Sequence, residues 1–172
     1  MIRNSLRWDR VVSPSLPPKT ATRGLSAGES YTGYDLRIGD QWAVFSDDDL
    51  ATAVILGMPS SYPEMHMKTG DAVLRPAQTI LAHTLETVSI PIDCVGILVG
   101  RSTAARLGVM LNVTPIEPGW RGQITLEITN VSPRKIIIPA GSGIAQLLLM
   151  QTEAYRSYTG RYENQVGVTP PK

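Results

Sequence analysis

Between two apolar runs, Cys94 to Gly100 and Leu107 to Val113, the chain places Arg101, Ser102, Thr103, Ala104, Ala105 and Arg106. Small residues let the backbone turn tightly, amides at a helix start point outward, and Arg101, Ser102, Thr103 and Arg106 add donors. Such a set suits phosphate oxygens. The alternative is structural: both arginines pair with carboxylates at a domain or subunit surface. The Gly-Lys-Ser/Thr ending of a Walker loop is missing. Glu127 is the second candidate, because a carboxylate inside a strand otherwise built for a core needs a partner or a purpose, unless it simply faces water. The third is Thr114-Pro115-Ile116-Glu117-Pro118-Gly119-Trp120, a rigid loop that displays Glu117, with Trp120 as core plug or ligand platform. Near the end, Arg161, Tyr162, Glu163, Asn164 and Gln165 form either a solvated terminus or a hydrogen-bonding segment able to close over a ligand. Asp47, Asp48 and Asp49 could gather around a divalent ion, or start a helix in water.

These groups need a frame. Short apolar or alternating runs recur between turn signals from Tyr34 onward, a spacing that predicts a mainly β sandwich or barrel. The clearest is Gln123 to Asn130, where Ile124, Leu126 and Ile128 alternate with Thr125, Glu127 and Thr129. Helix is expected in the short Ser102 to Gly108 segment and over Asp47 to Met58, where aspartates precede an apolar run. Residues 13 to 33 are rich in Ser, Pro, Thr and Gly. They suggest an N-terminal arm over 1–33, a β domain over 34–153 with its core starting near Tyr34, and a tail over 154–172 that is mobile if left to itself.

Composition removes several classes of function. The 172 residues fit one domain, and 16 basic against 15 acidic residues leave no global field for nucleic acid or an anionic membrane. The first dozen residues are too charged for a signal peptide or a membrane span, so a soluble, cytosolic protein is expected. Cys94 alone excludes an internal disulfide, and its apolar surroundings predict a buried structural thiol. With His66 and His83 as the two histidines, no zinc constellation has a usual spacing.

Taken in order, "GYDLRIG", "GRSTAARLGVMLNVTPIEPGWRGQITLEITN", "GIAQLLL" and "GRYENQVGVTPPK" resemble the dCTP deaminase branch of the dUTPase superfamily, over about residues 30 to 170. The resemblance implies a distorted jelly-roll β-barrel with one or two short helices, a homotrimer with active sites at subunit interfaces, and a magnesium-bound nucleoside triphosphate as substrate. By similarity Glu127 is the general base that activates water at cytosine C4, Ser102 and Arg106 complete the catalytic centre, and Arg101 and Thr103 help hold the triphosphate. Thr114, Pro115 and Ile116 shape the base pocket, Glu117 meets the deoxyribose 3′-hydroxyl, and Trp120 packs under the sugar. Tyr155, Arg161 and Gln165 close on the phosphates, while Asp35 and Arg37 match a structural first motif.

The implied chemistry is dCTP to dUTP and ammonia. Most nucleobase deaminases draw their nucleophile from zinc-bound water; a route without zinc leaves a carboxylate as base. Burial would raise the pKa of Glu127 and Arg106 would oppose that shift. Magnesium is expected to arrive on the phosphates, without a protein cage. The front of the chain differs from the family pattern, and Arg161 stands where many relatives carry Lys. Family members that share these motifs also include bifunctional enzymes giving dUMP and pyrophosphate. A dUTPase or a non-catalytic nucleotide-binding regulator are further alternatives, and the setting is the cytoplasm, or a host's cytoplasm for a viral protein.

Overall fold

Alternation at period two decides the architecture. In the computed structural model, which describes residues 7–48, 52–153 and 157–172, eleven strands carry the chain. They are β1 (Val12–Ser13), β2 (Gly28–Glu29), β3 (Tyr34–Phe45), β4 (Met65–Thr69), β5 (Ala72–Leu74), β6 (Thr79–Ser89), β7 (Cys94–Gly100), β8 (Val109–Asn112), β9 (Arg121–Asn130), β10 (Ile136–Ile138) and β11 (Gly143–Gln151). One short helix, α1 (Ser102–Arg106), interrupts them. The main sheet runs β7-β11-β3-β6-β9-β8, with β1 added to β6 and β2 and β4 to β3; β10 and β5 form a separate pair. Every pairing is antiparallel. Because β8 also lies against β7, the sheet curls towards closure, the distorted barrel that the sequence predicts.

On β9 the inner face is Ile124, Leu126 and Ile128, all buried, and the outer face is Gln123, Thr125, Glu127 and Thr129. Leu36, Ile38, Ile80, Ala82, Leu147 and Leu149 meet the inner face from β3, β6 and β11. The core begins earlier than expected. Trp8 is 3% exposed and tilts against the Tyr34 ring at 5.7 Å, and Val11 and Val12 are buried beside it. Three large apolar side chains ahead of a polar arm are enough to bring that end of the chain into the core.

One other expectation is corrected. No helix forms among the described residues between Asp47 and Met58; Asp49, Leu50 and Ala51 lie outside them. Helices in proteins are stabilised by an apolar face packed on a core, and here Val54, Ile55, Leu56 and Met58 are exposed. The tail is not left to itself: residues 164–169 bond to β9, whose polar strand face offers the hydrogen bonds that an isolated segment lacks. Among the described residues no helix is long and apolar enough to cross a membrane.

Arg37 and Glu86 confirm that part of the first motif is structural. Nε of Arg37 donates to Oε1 of Glu86 at 2.6 Å and its backbone N–H to Oε2 at 2.9 Å. A ladder break between Ile38 and Trp42, and another between His83 and Thr87, open the space for this buried pair.

Candidate active site

Glu127 occupies the middle of β9, and the registers place its neighbours. Leu81 on β6 is opposite it on one side and Asn112 on β8 on the other. The loop from Val113 to Trp120 folds over this face, pinned where Ile116 and Gly96 exchange backbone hydrogen bonds of 2.8 Å each. Gly119 supplies a left-handed turn (φ +77°) that a side chain would oppose, and Trp120 follows it into the core. The indole N–H donates to the carbonyl of Tyr162 at 2.9 Å, tying the loop to the tail.

Between loop, strand and tail lies a cavity of about 620 Å³. Glu127, Thr114, Pro115, Ile116, Glu117, Trp120, Tyr162 and Gln165 all line it, so eight of the residues singled out in the sequence converge on one space. Oε2 of Glu127 is buried and has no hydrogen-bond partner among the described residues. Burial raises the Glu127 pKa above the ordinary carboxylate value, and a hydrogen bond to its own backbone partly offsets this. Within one chain Arg106, exposed at the end of α1, is not among the groups that shift Glu127. The water-facing reading of Glu127 therefore fails at one of its two oxygens.

The phosphate-donor candidates do not join this cavity. Arg101, Ser102, Thr103 and Arg106 are absent from its lining. Arg101 is instead held by Asp35, with Nη1 to Oδ2 at 2.9 Å, and by the carbonyl of Ser26, while Gln146 donates to the other Asp35 oxygen at 3.0 Å. Arg101 is thus paired within its own chain, with its guanidinium still partly exposed. Ser102, Thr103 and Arg106 face outward on α1. Arg161 bonds to the carbonyl of Lys172 at 2.8 Å, and Tyr155 lies outside the described residues.

Of the carboxylate run, Asp47 pairs with Arg75 at 3.1 Å and Asp48 bonds Ser46, with Asp49 outside the described residues. Among the described residues no three His, Cys, Asp or Glu side chains group as metal ligands. Cys94 is buried, as expected. Sequence reasoning missed Phe45, Leu81, Thr125 and Tyr158 on the cavity wall, and Gln123 beside it. Extending the period-two pattern from Glu127 would have found Thr125 and Gln123; the others depend on register and tail path, which leave no local signal.

A dCTP deaminase-like family model matches residues 18–152. The chain is 36% identical to the dCTP deaminase of Gluconobacter oxydans over 99% of this chain and 95% of that one, and 36% identical to that of Nautilia profundicola over 99% and 94%. In fold it resembles the crystal structure of 2′-deoxycytidine 5′-triphosphate deaminase from Agrobacterium tumefaciens, with a TM-score of 0.58 and 17% identity over 84% of this chain and 44% of that one. The dUTPase of Staphylococcus bacteriophage 80alpha gives 0.51 and 17% over 82% and 92%. These two likenesses establish the dUTPase-like fold; together with the family model and the relatives that match almost end to end, they mean that the chain belongs to the dCTP deaminase-like family.

Proposed function

We propose that the protein hydrolyses dCTP to dUTP and ammonia, with Glu127 as the general base. The observation that carries this reading is a carboxylate with an unpartnered, buried oxygen on the wall of a cavity of about 620 Å³, ample for a nucleoside. A water held by Glu127 attacks cytosine C4 and the carboxylate takes its proton. The carboxylate passes that proton to N3, leaving a tetrahedral C4 that carries both the new hydroxyl and the amino group. Glu127 then takes the hydroxyl proton and hands it to the amino group, which leaves as ammonia as the C4 carbonyl forms; water supplies both protons, so no oxidant or reductant is needed. A base held in a strand interior typically contributes about 10²–10⁴-fold. The relatives named dCTP deaminase, matched over almost the whole chain, support the same substrate.

Within that reading Thr114, Pro115 and Ile116 bound the base, Glu117 meets the 3′-hydroxyl and Trp120 supports the sugar. The triphosphate, entering as its magnesium complex, needs cations that the cavity lacks. We assign Arg101, with the Thr103 hydroxyl, of a second copy in a homotrimer to the triphosphate, and Ser102 and Arg106 of that copy to the catalytic centre. An apolar cluster beside α1 supports a covered face: Leu107, Met110 and Val131 are 66%, 56% and 58% exposed, and the Val131 N–H bonds the Gly108 carbonyl at 2.9 Å. The tail would close over the nucleotide, with Gln165 on the cavity and Arg161 turning from Lys172 to phosphate.

The test is chromatography after incubation with dCTP and magnesium, alongside Glu127→Gln. Accumulating dUTP from the parent and none from the variant is the expected result. Appearance of dUMP and pyrophosphate would mean a bifunctional enzyme, and dCTP left intact by the parent would refute the proposal.

A further inference from the structure

We propose that Gln123, which does not line the cavity, is the positioning residue that fixes the tail over it; this rests on the nucleotide-binding reading above. The ladder break between His83 and Thr87 takes the Leu85 carbonyl out of the β6–β9 pairing. Nε2 of Gln123 donates to that carbonyl at 3.1 Å, which turns Oε1 towards the tail, where it accepts the Gly167 N–H at 2.7 Å. The carboxamide is oriented at both ends, its donor meeting an acceptor and its acceptor a donor. Gly167 sits at φ +68°, a left-handed conformation that aims this N–H and that other residues adopt at a cost.

The backbone of Gln123 makes the same attachment. Its N–H donates to the Gln165 carbonyl at 2.9 Å, and Nε2 of Gln165 donates to its carbonyl at 2.8 Å. Two residues further on the same strand face, Thr125 Oγ1 lies 3.4 Å from both Nε2 of Gln165 and the N–H of Thr169. The next residue on that face is Glu127. The tail is therefore fastened at 123 and 125, and Thr169, Pro170 and Pro171 become the wall facing the carboxylate. Gln123 touches no substrate in this arrangement; it acts through the tail.

Two measurements on the full-length protein test this. Hydrogen exchange without nucleotide should show the amides of Asn164 and Gly167 exchanging about 5-fold faster in Gln123→Ala and in the similarly sized Gln123→Met, the effect of losing about one net hydrogen bond. The β6 and β9 amides should keep their protection. Steady-state kinetics should show KM for dCTP raised about 5-fold with kcat within about 2-fold. Thr125→Val should move both readouts in the same direction and less. Unchanged tail exchange in Gln123→Met would overturn the proposal, because packing alone would then suffice; so would a fall in kcat at constant KM. A parent that leaves dCTP intact would remove the functional reading, while tail exchange would still decide whether Gln123 holds the tail.

Discussion

Replacing Glu86 by Gln changes one atom type at a site that water cannot reach. Both carboxylate oxygens accept from Arg37, at 2.6 and 2.9 Å, and the two side chains are 0% and 18% exposed. A carboxamide offers one acceptor to two donors, so at least one hydrogen bond is lost and the Arg37 charge loses its counterion. Breaking a buried pair from one side costs about 3–5 kcal/mol. The lower figure applies here: burial raises the Glu86 pKa despite Arg37, so removing its charge also relieves desolvation that Arg37 does not fully offset. A loss of about 3 kcal/mol in a chain of this size lowers Tm by roughly 6–12 °C.

The pH dependence carries the sign. A carboxyl whose pKa is higher folded than unfolded gives the folded state its full stability below the unfolded value, near 4.3, and loses it as pH rises through the folded value. Parent and variant should therefore differ least at neutral pH and diverge on acidification towards pH 4, read as Tm by calorimetry across buffers. An ion pair dominated by attraction would do the opposite. Equal Tm values at neutral pH, or a gap that closes as pH falls, would refute the reasoning.

Three further outcomes follow from the packing and the division of the site. Gly39→Ala would drive a methyl group into the His83 imidazole, buried against that glycine, and should cost about 1–3 kcal/mol, measured by urea unfolding. Trp120→Phe removes the indole donor to Tyr162 and should speed proteolytic cleavage within residues 157–172 about 5-fold, with the β6–β9 region still resistant. Co-refolding inactive Glu127→Gln with inactive Arg106→Ala should restore about a quarter of parental activity, the share of sites drawing both intact residues from different copies of a random trimer; no recovery would place both residues in one chain's site.

Much of the frame was legible in the chain itself. Ile124, Leu126 and Ile128 alternating with polar neighbours specify a strand with one buried face, because side chains of successive residues point to opposite sides whatever the surroundings. The same rule located Glu127 in a strand interior, and prolines and glycines marked the loop that carries Glu117 and Trp120. Two misreadings had a common source. The run from Asp47 to Met58 has helical composition, but Val54, Ile55, Leu56 and Met58 stay exposed; Trp8, Val11 and Val12 lie in a polar stretch, but a core reaches them. Local pattern cannot report what a segment packs against.

Tertiary structure alone decided the rest. That Leu81 and Asn112 flank Glu127 follows from the registers of β6 and β8 on β9, set by turns and by the ladder break after His83. That the tail lies on Gln123 and Thr125, and that Arg101 is bound by Asp35 away from Glu127, follows from where distant segments meet. Residue types and periodicity fix each element and its buried face; which elements become neighbours depends on hydrogen bonds and packing between residues far apart in the chain, and these have no period to read.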